Sequence, residues 1–149
     1  MNKRIFTNAI ILALCLLLTS CMERTGPYTD DEQDFIALIC NTDWATEITT
    51  YPDGNTWQGV YQFKRDATYR RTLINTTPEG EVKTSYITGI WSFTDRSHGC
   101  ISFNSGDYWD LDIVSKEKFA FYLRSGEWDD PSMTREYTVL TPYEGTNLP

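Results

Sequence analysis

Three features of the sequence predict an all-β fold: about eight antiparallel strands running up and down and closed into a barrel, with one short helix on its N-terminal side. Helical periodicity is confined to one stretch before Trp44. After Trp44 apolar and polar residues alternate with period 2. Turn residues recur at short intervals, so most connections are of hairpin length. A meander of this kind removes its exposed edges by closing on itself, and eight strands enclose a packed interior or one small ligand.

The elements follow in order. Thr29 or Asp30 caps a helix, with Glu32 or Gln33 reaching back, and Phe35, Ile36, Leu38 and Ile39 form its apolar face up to about Asn41. Its acidic first turn, Asp30-Asp31-Glu32, complements the helix dipole. Trp44 to Tyr51 is the first strand, ended by Pro52-Asp53-Gly54-Asn55, where Pro presets φ and Gly supplies a positive φ. Thr56 to Lys64 alternates Trp57, Gly59, Tyr61 and Phe63 against Gln58, Val60 and Gln62. Arg65-Asp66 turns into Thr68 to Asn75, where apolar and basic residues mix on both faces. Val82 to Thr94 sets Ile87, Gly89, Trp91 and Phe93 on one face, Gly89 allowing a bend or close packing. Cys100 to Asn104 follows, then Tyr108 to Val114 with Trp109, Leu111 and Ile113 inward. Phe119 to Arg124 places Phe121 and Leu123 inward, a loop runs from Ser125 to Pro131, and Met133 to Thr141 is the last strand.

The order Cys40 to Trp44, Tyr61-x-Phe63-x-x-Asp66-x-Thr68-Tyr69, Gly89-x-Trp91-x-Phe93, Trp109-x-Leu111-x-Ile113 and Phe119-x-Phe121-x-Leu123 resembles the small lipocalin-like domains of bacterial lipoproteins. It covers roughly residues 34 to 141, with Asp66-Ala67 where an Asp-Gly turn is usual. The resemblance implies a calycin-type barrel with a helix at its N-terminal side, and it carries no catalytic residue.

The N-terminus agrees in kind. Lys3 and Arg4 precede the apolar run Ala9 to Leu18 and the small polar Thr19 and Ser20, the three regions of a secretory signal. The run is shorter than the roughly 20 residues a bilayer span needs. Leu18-Thr19-Ser20-Cys21 resembles the lipobox of bacterial lipoproteins, which implies lipidation at Cys21, loss of residues 1–20 and a lasting membrane anchor, since two or more acyl chains hold firmly. Met22 stands where an Asp would signal inner-membrane retention, so the expected address is the outer membrane of a bacterial cell envelope. The chain then divides into a signal segment 1–20, a lipidated tether 21–29, a barrel 30–141 and a tail 142–149.

Once Lys3 and Arg4 leave with the signal, 11 Lys plus Arg stand against 21 Asp plus Glu, a formal charge of −10. That excess of acid excludes nucleic acid as a partner. It also leaves the acyl chains, not electrostatics, as the membrane anchor. Cys40 and Cys100 are the thiols left in the domain. They form a disulfide closing a loop of about 60 residues and worth about 4 kcal/mol, or they are two buried free thiols acting as small apolar side chains; spacing does not choose.

No catalytic constellation is found and no cofactor is expected, so the chain reads as a non-enzyme. His98 is the sole histidine and falls in the turn Arg96-Ser97-His98-Gly99, an exposed loop position. Asp107, Asp110 and Asp112 alternate along one strand as Ca²⁺ ligands do, but lack the glycine and bidentate Glu of an EF-hand and read as a solvated strand face. No phosphate-binding glycine loop or dinucleotide fingerprint is present. The aromatic set of five Trp, nine Tyr and seven Phe is large for one small domain, and most of it belongs in a core. Trp57, Tyr69, Arg71 and Tyr86 are the candidates for an aromatic and cationic surface at one barrel mouth. Trp128, set among charges in a loop, is a candidate contact point for a partner or a lid on the barrel. These features lead to a binding module for a small apolar or amphipathic ligand or a glycan. The alternatives are a docking or inhibitory module with a filled barrel that meets another envelope protein, and a hydrolase built on a carboxylate pair.

Overall fold

A computed structural model describes residues 30–145. The chain divides into two units, Met1–Glu32 and Gln33–Pro149, and the fold set out here is that of the second. The signal segment, Cys21 with its tether, and residues 146–149 of the tail lie outside the described residues. Among the described residues no helix is long and apolar enough to cross a membrane.

Helix α1 (Asp30–Cys40) precedes nine strands: β1 (Trp44–Ala45), β2 (Thr49–Thr50), β3 (Thr56–Phe63), β4 (Thr68–Thr76), β5 (Val82–Phe93), β6 (Cys100–Phe103), β7 (Asp107–Val114), β8 (Phe119–Ser125) and β9 (Thr134–Pro142). All pairings are antiparallel between sequence neighbours, and β1 closes the barrel by pairing with both β9 and β3. β1 and β2 are one interrupted strand, since both pair with β3, at Trp44↔Tyr61 and at Thr49↔Trp57. Thr46 fills the interruption: its Oγ1 accepts the Gly59 N–H at 2.9 Å, and its carbonyl accepts from Gln58 Nε2 at 3.0 Å. Counted so, eight strands enclose the barrel, as the alternation predicts, with every end within one residue of that expected and the first strand interrupted at 46–48. The architecture is consistent with a calycin-type fold in general.

One end of the barrel is solidly filled. Ile39, Trp44, Phe63, Trp91, Phe119, Phe121 and Leu140 are buried there and in the middle, with Trp109 stacked on Phe121 at 3.8 Å between ring centres. The indole N–H groups are spent on backbone: Trp44 Nε1 donates to Ile39 O at 3.0 Å, tying the end of α1 to the first strand. Trp91 Nε1 donates to Lys64 O and Thr68 O, both at 3.1 Å, so this inward Trp holds the β3–β4 turn as well as filling the core. Gly89 has the close-packing role expected of it, because a Cβ there would lie 2.6 Å from the Tyr69 ring. Ala67, in the turn where glycine is usual, takes φ +67°.

Three expectations change. Ile113 points outward, 39% exposed, because a bulge between Leu111 and Ile113 shifts β7 and brings Val114 inward opposite Phe119. Asp107, Asp110 and Asp112 do not share one solvated face: Asp107 lies on the inward face with Trp109, whereas Asp110 and the exposed Asp112 lie on the outer wall, Asp112 accepting from Tyr137. His98 is not an exposed loop residue. It takes φ +55° and packs edge-on against Phe93 at 4.5 Å between ring centres, close to Phe35 of α1.

Candidate functional site

The other end of the barrel is open. Cross-strand pairing sets Tyr61, Arg71 and Ile87 side by side on the inner face, one step nearer the rim than Phe63, Tyr69 and Gly89. Together with Phe103, Ser105, Asp107, Trp109 and Leu123 they line a cavity of about 110 Å³. Its floor is aromatic. Its wall carries one cation, Arg71, and one carboxylate, Asp107, which form no ion pair with each other. The Arg71 guanidinium lies 5.2 Å from the Tyr61 ring centre and 5.8 Å from that of Trp57, while its Nε is buried without a hydrogen-bond partner among the described residues. Burial pushes the Tyr61 phenol up from its ordinary pKa, so it stays a neutral hydrogen-bonding group. Donors, an acceptor and flat rings around so small a space suit one polar ring or head group; sites for drug-sized ligands run to about 300–1,000 Å³.

Of the residues singled out from sequence, Tyr69 and Arg71 line this cavity and Trp57 flanks Arg71. Tyr86 neighbours Ile87 on β5 and therefore faces the outer wall, where Arg70 lies 4.3 Å from its ring centre. Cys40 and Cys100 are free thiols. Burial raises the Cys40 pKa to about 11, and burial raises that of Cys100 too, so both remain protonated at neutral pH. Trp128 stands apart from the mouth cavity, on the outer wall.

There it caps a group the sequence reading overlooked. Arg124 is 3% exposed although it points outward. Its Nε lies 3.1 Å from Asp110 Oδ2 and its Nη1 donates to Gly126 O at 2.8 Å. The guanidinium is held between Tyr108, at 4.2 Å, and Trp128, at 4.6 Å, measured to ring centres. Arg135 repeats the pattern between Tyr122, at 4.1 Å, and Trp128, at 5.1 Å, and shares Asp110 at 3.3 Å. Tyr108 donates to Glu127, and Tyr137 donates to Asp112 at 2.8 Å; each hydrogen bond raises the phenol's pKa. The signal for this wall was the period-2 placing of Tyr and Arg at 108, 122, 124, 135 and 137, opposite the apolar face. The residues missed at the mouth, Tyr61, Asp107 and Trp109, needed the register between β3 and β4 and across β7.

Among the described residues no three His, Cys, Asp or Glu side chains converge as metal ligands. No protein-family model, curated protein or solved structure matches the chain.

Proposed function

We propose that the protein is a lipid-anchored envelope lipoprotein, held by Cys21 in the outer membrane, and that its barrel is a non-enzymatic module binding a small polar or amphipathic group, such as one ring of a glycan, at the rim. The cavity carries this reading: about 110 Å³ lined by Tyr61, Tyr69, Trp109, Arg71 and Asp107 is large enough for a ring or head group. It is too small for an enclosed acyl chain, because Trp91, Trp109, Phe119 and Phe121 occupy the interior a lipid carrier would leave free. The lipid anchor rests on the sequence from Lys3 to Cys21. Non-catalytic binding is supported by the cavity lining, where Asp107 is a lone carboxylate.

Arg71 is the probe of choice, since Tyr69 is also a core residue, 7% exposed. Native mass spectrometry of the protein released gently from its membrane is expected to show a retained small adduct. Arg71→Ala is expected to lose that adduct while urea unfolding barely shifts. A wild type without adduct, whose Trp fluorescence also ignores oligosaccharides and lipid head groups, overturns the ligand reading. For the anchor, Cys21→Ser is expected to abolish labelling by a fatty-acid probe, and equal labelling of both forms overturns it.

One observation favours a second reading, docking of another envelope protein: Tyr122, Tyr137 and Trp128 are 36%, 45% and 59% exposed on a single outer wall. Aromatic and Arg side chains gathered in this way are the usual anchors of protein interfaces.

A further inference from the structure

The barrel wall is not sealed all the way to the rim. β4 runs along β5 from Val82 to Ile90, but β6 pairs with β5 only at Trp91–Phe93. Trp91 N–H donates to Ala67 O at 2.9 Å, so the odd-numbered residues of β5 turn their backbone groups toward β4 and the even-numbered ones turn theirs away. Ile90 is satisfied on that far side, where Asn104 Oδ1 accepts its N–H at 3.0 Å and its carbonyl accepts the Asn104 N–H at 3.1 Å. Thr88, Tyr86, Thr84 and Val82 have no backbone partner there among the described residues. An unpaired edge of this length is a template for another strand, and natural edges are usually blunted with charge, proline or a bulge.

This edge carries little of that protection. Of the ten large hydrophobic side chains exposed among the described residues, four belong to β5: Val82, Tyr86, Ile87 and Ile90. Lys83 is the strand's sole charge, and it lies 3.5 Å from Glu81. On a chain of net charge −8, the edge is a neutral strip.

We propose that a second copy of this chain covers it, β5 against β5, antiparallel about a two-fold axis at Ser85. In that register Val82 of one copy faces Thr88 of the other and Thr84 faces Tyr86. Every unpaired N–H of one edge then meets a carbonyl of the other. Each Lys83 lies beside the partner's Ile87, so no like charges oppose each other across the pair. The register also fits the length of the gap: the partner's turn at residues 77–81 falls at Ile90, where the first molecule's own wall resumes with β6. The contact is isologous and closes at two copies. It rests neither on the lipid anchor nor on a ligand in the mouth cavity, although Ile87 belongs both to the edge strand and to the cavity lining.

The test puts cysteine on the axis in the full-length chain. Residues 85 form a non-hydrogen-bonded pair with Cα atoms about 4.5 Å apart, within disulfide reach. Mild oxidation of the Ser85→Cys protein is expected to give a homodimer linked through residue 85, identified by mass spectrometry of the joined peptides. Ser92→Cys, on the same strand where β6 already pairs, is expected to give little. Thr84→Pro removes one edge N–H that makes no bond to β4, and added to Ser85→Cys it is expected to cut linkage about tenfold with circular dichroism unchanged. Ser85→Glu brings two carboxylates together on the axis and is expected to sediment as a monomer where the wild type sediments as a dimer. A monomeric wild type, linkage no greater than for Ser92→Cys, or residue 85 joined to a different protein overturns the proposal.

Discussion

The two ends of this barrel are built from the same residue types and put them to different uses. At the helix end, Trp44, Trp91 and Phe63 are buried, and both indole N–H groups close turns or helix ends. At the rim, Tyr61, Arg71 and Ile87 occupy the same inward face but are left half-covered around a small cavity, and the β4–β5 hairpin runs on past the wall. Aromatic content is therefore not a measure of core. What separates the two ends is whether a capping element lies over them, and here α1 covers only one.

Truncation should separate the ends most sharply. Trp91→Ala is expected to cost about 3–5 kcal/mol in urea unfolding, chiefly from the cavity, since the Lys64 and Thr68 carbonyls that lose the indole N–H each keep a backbone donor. Arg71→Ala, on the same face near the rim, is expected to stay within about 1 kcal/mol. Comparable losses would mean that the rim is as tightly packed as the helix end.

The outer wall gives an intermediate case. Arg124→Met is expected to cost about 2 kcal/mol, because it removes the bidentate partner of Asp110 while Arg135 still satisfies one oxygen. Trp128→Ala is expected to cost about 1 kcal/mol, the scale of an exposed cation–π contact. If both substitutions prove neutral, the Trp128 loop does not hold the wall together.

Smaller still is the turn beneath Trp91. Ala67 sits in the left-handed region, where a Cβ costs about 1–2 kcal/mol. Ala67→Gly is expected to stabilise by about 0.5 kcal/mol after the added flexibility of the unfolded chain is subtracted. A destabilised Ala67→Gly would show that the Ala67 methyl packs favourably.

The last expectation concerns pH. Asp53, Asp66, Asp95 and Asp130 each accept hydrogen bonds from the residue two places on, Asn55, Thr68, Ser97 and Ser132, and these bonds lower all four carboxyl pKa values. A lowered folded-state pKa stabilises the fold above the unfolded value of about 3.9, and that contribution is lost as pH falls through the lowered values. Thermal unfolding is expected to soften below about pH 4, slightly, since all four groups are exposed to solvent. A Tm that holds steady between pH 5 and 2 would remove the turns from the account.

The strand count, the helix and the inward Trp and Phe positions were legible because burial on one face imposes period 2, and only a sealed interior demands it strictly. Legibility failed where local chemistry had no periodic signature. The bulge that sends Ile113 out leaves no mark in composition, whereas Asp107 and Asp110, three residues apart before it, fall on opposite faces by period 2 alone. Tyr69 and Arg71 fall at the mouth as their sequence pattern predicts, but Trp109 and Asp107 come from a strand distant in sequence, and Tyr61 meets Arg71 only through the register of the β3–β4 hairpin. Trp128 was recognised as anomalous in its acidic loop, whereas the two guanidiniums beneath it lie on separate strands and become a pair only through the register of β8 and β9.

The closing strand has a mechanical consequence. β1 is two residues long, and Trp44 and Ala45, with a few hydrogen bonds from the flanking Asp43 and Thr46, join β3 to β9. A pull delivered through the N-terminal end of the chain must first draw Ile36 and Ile39 of α1 out of the core, and it then arrives at this seam, which few hydrogen bonds hold. The domain should accordingly open at Trp44 once α1 has come away, while the sheet from β3 to β9 still holds its ladder. Pulled from both ends of β5 instead, the same barrel would resist far longer.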